Sequence, residues 1–176
     1  MILPVSLEEA KAQLQLGDDY TRDFEVAGFI EDAAAWVEKF TGLMLGAQDV
    51  TEQLSGFGRM ELRAWPIAST AVPAVAYADA TGTPIGVAGV RLDLTRRPAR
   101  VVPAIGGRWP MVPTGTITTV TVRAGYESPD DVPRDLRRAM LVLIGAYDAD
   151  REGGDILAKA EASARRLCDR HRLRRL

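Results

Sequence analysis

Apolar positions along this 176-residue chain change period twice. Near the start, Leu7, Ala10 and Leu14 recur at helical spacing. Ser6 precedes them and Glu9 lies three residues on, a capping-box pattern in which each side chain satisfies the other's free backbone N–H. "GDDYT" then interrupts the helix. Thr21 is the predicted cap of a second one, with Asp23 and Glu25 near its positive end. Val26, Phe29, Ile30, Ala33, Val37 and Phe40 make one apolar stripe, and Gly42 stands where a left-handed C-cap belongs. Residues 1–47 therefore read as a helical hairpin that needs a partner to cover its apolar side.

From 48 to 126 the period shortens to two and Pro and Gly become frequent. "DVTEQL", "RMELRAW", "AVAYAD", "VRLDL" and "TITTVTVRA" alternate with β-branched residues, which predicts an inserted antiparallel β module of five or six strands. "ADATGTP" reads as a hairpin turn, and the prolines fall at strand ends, edges or loops. Trp65 and Trp109 each precede a proline and read first as anchors at the seam between sheet and helix, second as stacking surfaces for a ligand.

Helical spacing returns in residues 127–153. Pro133 suits a first helical turn, and Leu136, Ala139, Met140, Leu143, Ile144 and Tyr147 form the core face. Gly145 within that face suggests close packing, since it costs about 1 kcal/mol relative to Ala. "REGGD" ends this core helix. In 154–176 Asp155 is the predicted cap of a last helix with Ile156, Leu157, Ala160, Ala164 and Leu167 on one side. The expected fold is α+β, a small bundle of two N-terminal and two C-terminal helices with an inserted β module, all within one domain, 1–176.

Composition narrows the class. A chain of this length buries roughly 70% of the surface its unfolded form exposes, so its core needs no disulfide or metal. With one cysteine, Cys168, no intramolecular disulfide forms. No apolar run approaches the length of a membrane span, and "MILPVSLEEAK" lacks the features of a signal peptide. The net charge is only -2, yet it is unevenly placed. The first forty residues hold nine acids against three bases, whereas from Ile156 onward seven bases face two acids. The nineteen arginines, three lysines and no asparagines reflect a GC-rich genome rather than chemistry.

Catalytic signatures are sparse. His171 and Cys168 lie three apart on the last helix, but two ligands do not close a zinc site, and the pair lacks an orienting third group. "GTPIGVAG" lacks the Lys-Ser/Thr of a phosphate loop, and "SGFGR" reads as a turn. The carboxylate pairs Glu8–Glu9, Asp18–Asp19 and Asp130–Asp131 sit at helix starts or turns, where capping explains them. An enzyme built from loop carboxylates would need a pocket gathering Asp or Glu beside Trp65 or Trp109. The residues alone describe an α+β domain with a basic tail and no assembled chemistry.

The order of motifs resembles one family. "L-x-x-A-K-x-x-L" at Leu7–Leu14, "A-x-x-x-V-E-x-x-T-G" ending at Gly42, two "WP" steps flanking a hairpin, and "A-G-Y…V-P-x-x-L-R-x-A" from Ala124 to Ala139 are similar to the head–tail connector (adaptor) family of long-tailed bacteriophages and gene transfer agents. The resemblance covers residues 3–151. It implies a structural virion protein, made in the bacterial cytoplasm, that forms a homo-oligomeric ring of about twelve copies beneath the portal. The implied partners are the portal protein, a tail-side connector or stopper, and DNA passing through the lumen without sequence-specific binding, with no membrane and no cofactor. It implies no enzymatic activity. Analogy and charge together make the basic arm the expected portal dock: Arg165, Arg166, Leu167, Arg170, Arg172, Leu173, Arg174, Arg175 and Leu176. The alternative is a nucleic-acid-binding accessory protein whose arm neutralises phosphates. An acidic pI of about 5.5 and a tail without aromatics weigh against it.

Overall fold

The computed structural model describes residues 3–79, 81–150 and 152–172. The chain parts into two compact units, residues 1–46 with 126–176, and residues 47–125.

The first unit is helical: α1 (Leu7–Gln13), α2 (Asp23–Thr41), α3 (Arg134–Ala149) and α4 (Asp155–Cys168). The capping box forms as the spacing predicts. Ser6 Oγ accepts from the Glu9 amide at 3.1 Å, and Glu9 Oε2 accepts from the Ser6 amide at 3.0 Å. Thr21 does not cap α2. Its amide and hydroxyl both donate to Asp19, so the two residues close a local turn, and the cap position falls to Arg22 without a side-chain cap bond. Arg22 instead pairs with Glu25 and with Asp148 of α3. At the other end Gly42 takes the left-handed conformation, φ 70°, which a residue with a Cβ rarely adopts. Thr41 Oγ1 donates to the Val37 carbonyl, and Glu38 accepts from the Leu45 amide at 2.7 Å, so the chain leaving α2 is held by side chains.

Helix α3 is the centre of this bundle. Leu136, Ala139, Met140, Leu143 and Ile144 are fully buried, with α2 supplying Val26, Ile30, Ala33 and Val37. Burying such side chains is the main favourable term in holding the helices together, about 1.5–3 kcal/mol for each large one. Gly145 does not mark a tight crossing: a Cβ there would come no nearer than 4.0 Å to Gln13 Nε2. In α1, Lys11 is buried although charged, because its ammonium pairs with Asp23 at 2.8 Å and lies over the Tyr20 ring at 4.4 Å.

Among the described residues the second unit holds seven strands: β1 (Gln48–Ser55), β2 (Glu61–Leu62), β3 (Ala74–Ala78), β4 (Pro84–Val87), β5 (Val90–Asp93), β6 (Ala99–Pro103) and β7 (Ile117–Ala124). All pairings are antiparallel, in a four-stranded sheet ordered β1-β7-β3-β4 and a three-stranded sheet ordered β2-β6-β5. The strand number exceeds the five or six expected because β4 and β6 are short and bounded by proline, which hides their alternation. Central β7 buries Thr118, Val120, Val122 and Ala124, every second residue. The β3–β4 turn is built on Asp79, whose carboxylate accepts from the amides of Thr81 and Thr83.

Candidate docking site around the C-terminal arm

The basic arm begins on α4, and the start of α4 is set by the end of α3. Asp155 is not the cap. Asp150, just past α3, reaches across the connection and accepts from the Leu157 amide at 3.1 Å. Backbone donors at Gly154 and Leu157 hold the Asp150 carboxyl below its usual value. Gly153 supplies the left-handed turn, φ 81°.

Along α4 the inward side runs through Leu157 and Ala160, both half-buried, to fully buried Ala164 and Cys168. Ile156, expected inside, is 52% exposed. Cys168 is a core side chain, and burial, reinforced by the Asp135 charge, pushes its thiol up to about 11. A neutral buried thiol is a poor nucleophile and a poor ligand. His171 sits beside Asp135, Nε2 to Oδ2 at 3.2 Å.

The nine residues expected to dock the portal are thus divided. Arg165 pairs along its own helix with Glu161 at 3.1 Å, and Arg166 is exposed. Leu167 is half-buried in its own bundle. Arg170 pairs with Asp135 of α3 while keeping 69% of its side chain exposed. Arg172 lies over the Phe40 ring at 5.1 Å. The arm through Arg172 is therefore laid against the helices rather than held out from them. Leu173, Arg174, Arg175 and Leu176 lie outside the described residues.

This placement builds a groove that the sequence did not advertise. Trp36 and Phe40 stack at 5.3 Å, nearly parallel at 13°. Lys39, Arg165 and Arg172 stand around them with Glu161, enclosing about 710 Å³. At the other end of α2, Phe24 and Tyr20 are 95% and 74% exposed, beside the exposed Asp18 and Asp19. The available signal was Phe24 lying off the apolar stripe of α2, where a core aromatic does not belong.

The carboxylates singled out in the sequence serve local structure. Glu9 closes the capping box and pairs with Arg137, Asp19 holds Thr21, and Asp130 lies 3.6 Å from Arg137. Trp65 carries Arg97 over its ring at 5.8 Å, and Trp109 stacks on Phe57 at 5.0 Å, each inside the β unit. Among the described residues, no three His, Cys, Asp or Glu side chains converge as metal ligands, and no helix is long and apolar enough to cross a membrane.

The described residues form a helical bundle and antiparallel sheets whose charges serve caps, turns and ion pairs. No family model and no curated protein matches the chain. Solved structures do. A chain described as from the neck of an empty gene transfer agent particle, computed with six-fold symmetry, superposes with a TM-score of 0.76 at 26% identity, covering 100% of this chain and 94% of that one. A chain from the virion of the native particle gives 0.75 at 25% identity, covering 98% and 91%. One from the native neck, computed with twelve-fold symmetry, gives 0.70 at 28%, covering 94% and 89%. The resemblance read from the motifs holds over the whole fold: the chain is of the head–tail connector type found in gene transfer agents, a structural protein of the virion located at the head–tail junction. The likeness points to a structural, non-enzymatic role.

Proposed function

We propose that this chain is the adaptor that forms a ring under the portal, extends the DNA channel and offers a surface to the next tail component. The observation that carries the reading is the likeness, over nearly the full length of both chains, to chains of particle necks computed with six-fold and twelve-fold symmetry. A closed ring of identical copies requires a heterologous contact, one patch meeting a different patch on the neighbour. The portal dock is the C-terminal arm. Arg165 and Arg166 are exposed on α4, and the arm continues into Leu173, Arg174, Arg175 and Leu176, while Leu167, Arg170, paired with Asp135, and Arg172, over Phe40, tie it to the bundle. Each exposed pair contributes about 0.2–1 kcal/mol, so one arm holds weakly and a ring of arms holds by avidity. The pairing of Arg165 with Glu161 and of Arg170 with Asp135 lowers the charge available to phosphates and disfavours the nucleic-acid reading.

The test is deletion of residues 169–176 in particle-producing cells. Portal-bearing heads without tails are expected, alongside a truncated protein that still folds. Tailed particles at normal yield would overturn the arm as dock. Imaging that finds the chain elsewhere than beneath the portal would overturn the adaptor reading itself.

A further inference from the structure

The two ends of α2 carry complementary surfaces. At its start Phe24 is 95% exposed, so the whole ring stands in water although it is large enough to bury about 150–250 Å². Tyr20 is 74% exposed but fixed, because Lys11 Nζ lies 4.4 Å from its ring centroid and is itself paired with Asp23. Asp18 and Asp19 directly precede Tyr20, and the Asp19 carboxylate is held in place by Thr21. This is an acidic, aromatic knob with Tyr20 as its fixed part.

Near the end of α2 is its counterpart. The stacked Trp36 and Phe40 offer an aromatic wall, and Lys39, Arg165 and Arg172 outnumber the one acid, Glu161. An aromatic side chain flanked by carboxylates fits that combination: a ring to stack on the wall, anions to meet the rim.

Resting on the ring reading above, we propose that neighbouring copies join through these surfaces, the Tyr20–Phe24 knob of one copy seating in the Trp36–Phe40 groove of the next. Phe24 and Phe40 are sixteen residues apart on one helix, which places them about 24 Å apart along its axis and about 160° apart around it. One chain cannot bring its own knob to its own groove. Nor can two copies related by a two-fold axis make both contacts at once, since the two surfaces face away from each other. Each contact leaves a free knob and a free groove, so the association propagates from copy to copy until it closes. Opposite charge orients the encounter, and the aromatic contact supplies what persists once salt screens it.

The test is a chain carrying both Gly28→Cys, one turn along α2 from Phe24 and open to solvent, and Lys39→Cys, oxidised mildly in its assembled form. These positions lie about 16 Å apart on the helix, too far for a disulfide within one chain. Buried Cys168 stays out of the reaction. The expected result is a ladder of linked copies from the double variant, single pairs from a mixture of the two single variants, and none from either variant alone. Phe24→Ser should lower ring formation at least tenfold with unchanged thermal unfolding. Rings that form without a ladder, and that Phe24→Ser leaves intact, would overturn the contact while the adaptor reading stands. Pairs from Gly28→Cys alone would show a two-fold contact and overturn it too. A chain that never forms rings, in solution or on portal-bearing heads, would overturn both.

Discussion

The carboxylate of Asp150, one residue past α3, accepts a hydrogen bond from the Leu157 amide in the first turn of α4. One residue thus closes α3 with its backbone N–H, donated to the Ala146 carbonyl, and starts α4 with its side chain. Gly154 is what lets it come close: a Cβ there would sit 3.2 Å and 3.3 Å from the two carboxylate oxygens.

Asp150→Asn should lower the melting temperature by a few degrees, because the amide accepts less strongly from the free N–H groups of α4. The pH dependence has a definite sign. Backbone hydrogen bonds depress the folded-state value below the usual 3.8. The contribution is therefore present above the unfolded-state value and is lost as pH falls through the folded one. Melting curves of the two proteins should stay a constant distance apart above about pH 4 and converge below it. Gly154→Ala should show a smaller loss, since the carboxylate has only a few tenths of an ångström to yield. Parallel curves down to pH 2 would refute the cap.

Cys168 should be silent in the folded protein. It is fully buried and its thiol is pushed up to about 11 by burial and the Asp135 charge. Thiol reagents at pH 8 should label less than a tenth of the native protein and all of it in denaturant. Because the neutral thiol is favoured in the fold, its contribution is complete below the unfolded value near 9 and is lost as pH rises towards 11. Fast labelling of native protein would mean that α4 opens readily.

Asp135 is the fixed point of the arm, meeting both Arg170 and His171. Asp135 and His171 are half-buried while Arg170 is mostly exposed, so Asp135→Asn should cost about 1 kcal/mol of global stability. Trypsin cleavage after Arg166 and Arg170 should accelerate severalfold. Unchanged cleavage would show that the Arg172–Phe40 contact alone holds the segment.

In β7 the Thr118 hydroxyl is buried and accepts or donates no hydrogen bond among the described residues. An unsatisfied buried hydroxyl costs about 1–3 kcal/mol. Thr118→Val keeps the shape and removes the polar atom, so it should stabilise the protein by about 1 kcal/mol in denaturant melts. A loss of stability would indicate that the hydroxyl has a partner.

The α+β class was readable in the chain because period and capping are local signals. Ser6 and Glu9 lie three residues apart, and Gly42 follows directly on its apolar stripe, so nothing distant is needed to interpret them. Thr21 and Asp155 misled for a related reason. Each is a good cap by type, but Asp19 captured the first and Asp150 displaced the second, and the winner depends on loop geometry that a pattern does not carry. Strands β4 and β6 were missed because Pro84 and Pro103 masked their alternation. The groove was the least readable feature. Trp36 and Phe40 come from one helix, but Arg165 and Arg172 reach them only after α4 has packed, and no spacing in the sequence joins them.

Gln48 of β1 stands opposite Ala124 of β7, so the β unit begins and ends on adjacent strands, about 5 Å apart. The chain makes a closed detour of nearly eighty residues and returns almost to where it left. A bridge of a few residues would span the same gap, and so would a different detour of any size. A lineage can therefore exchange what the bundle displays, trading one graft for another, without rewriting the helices that carry it.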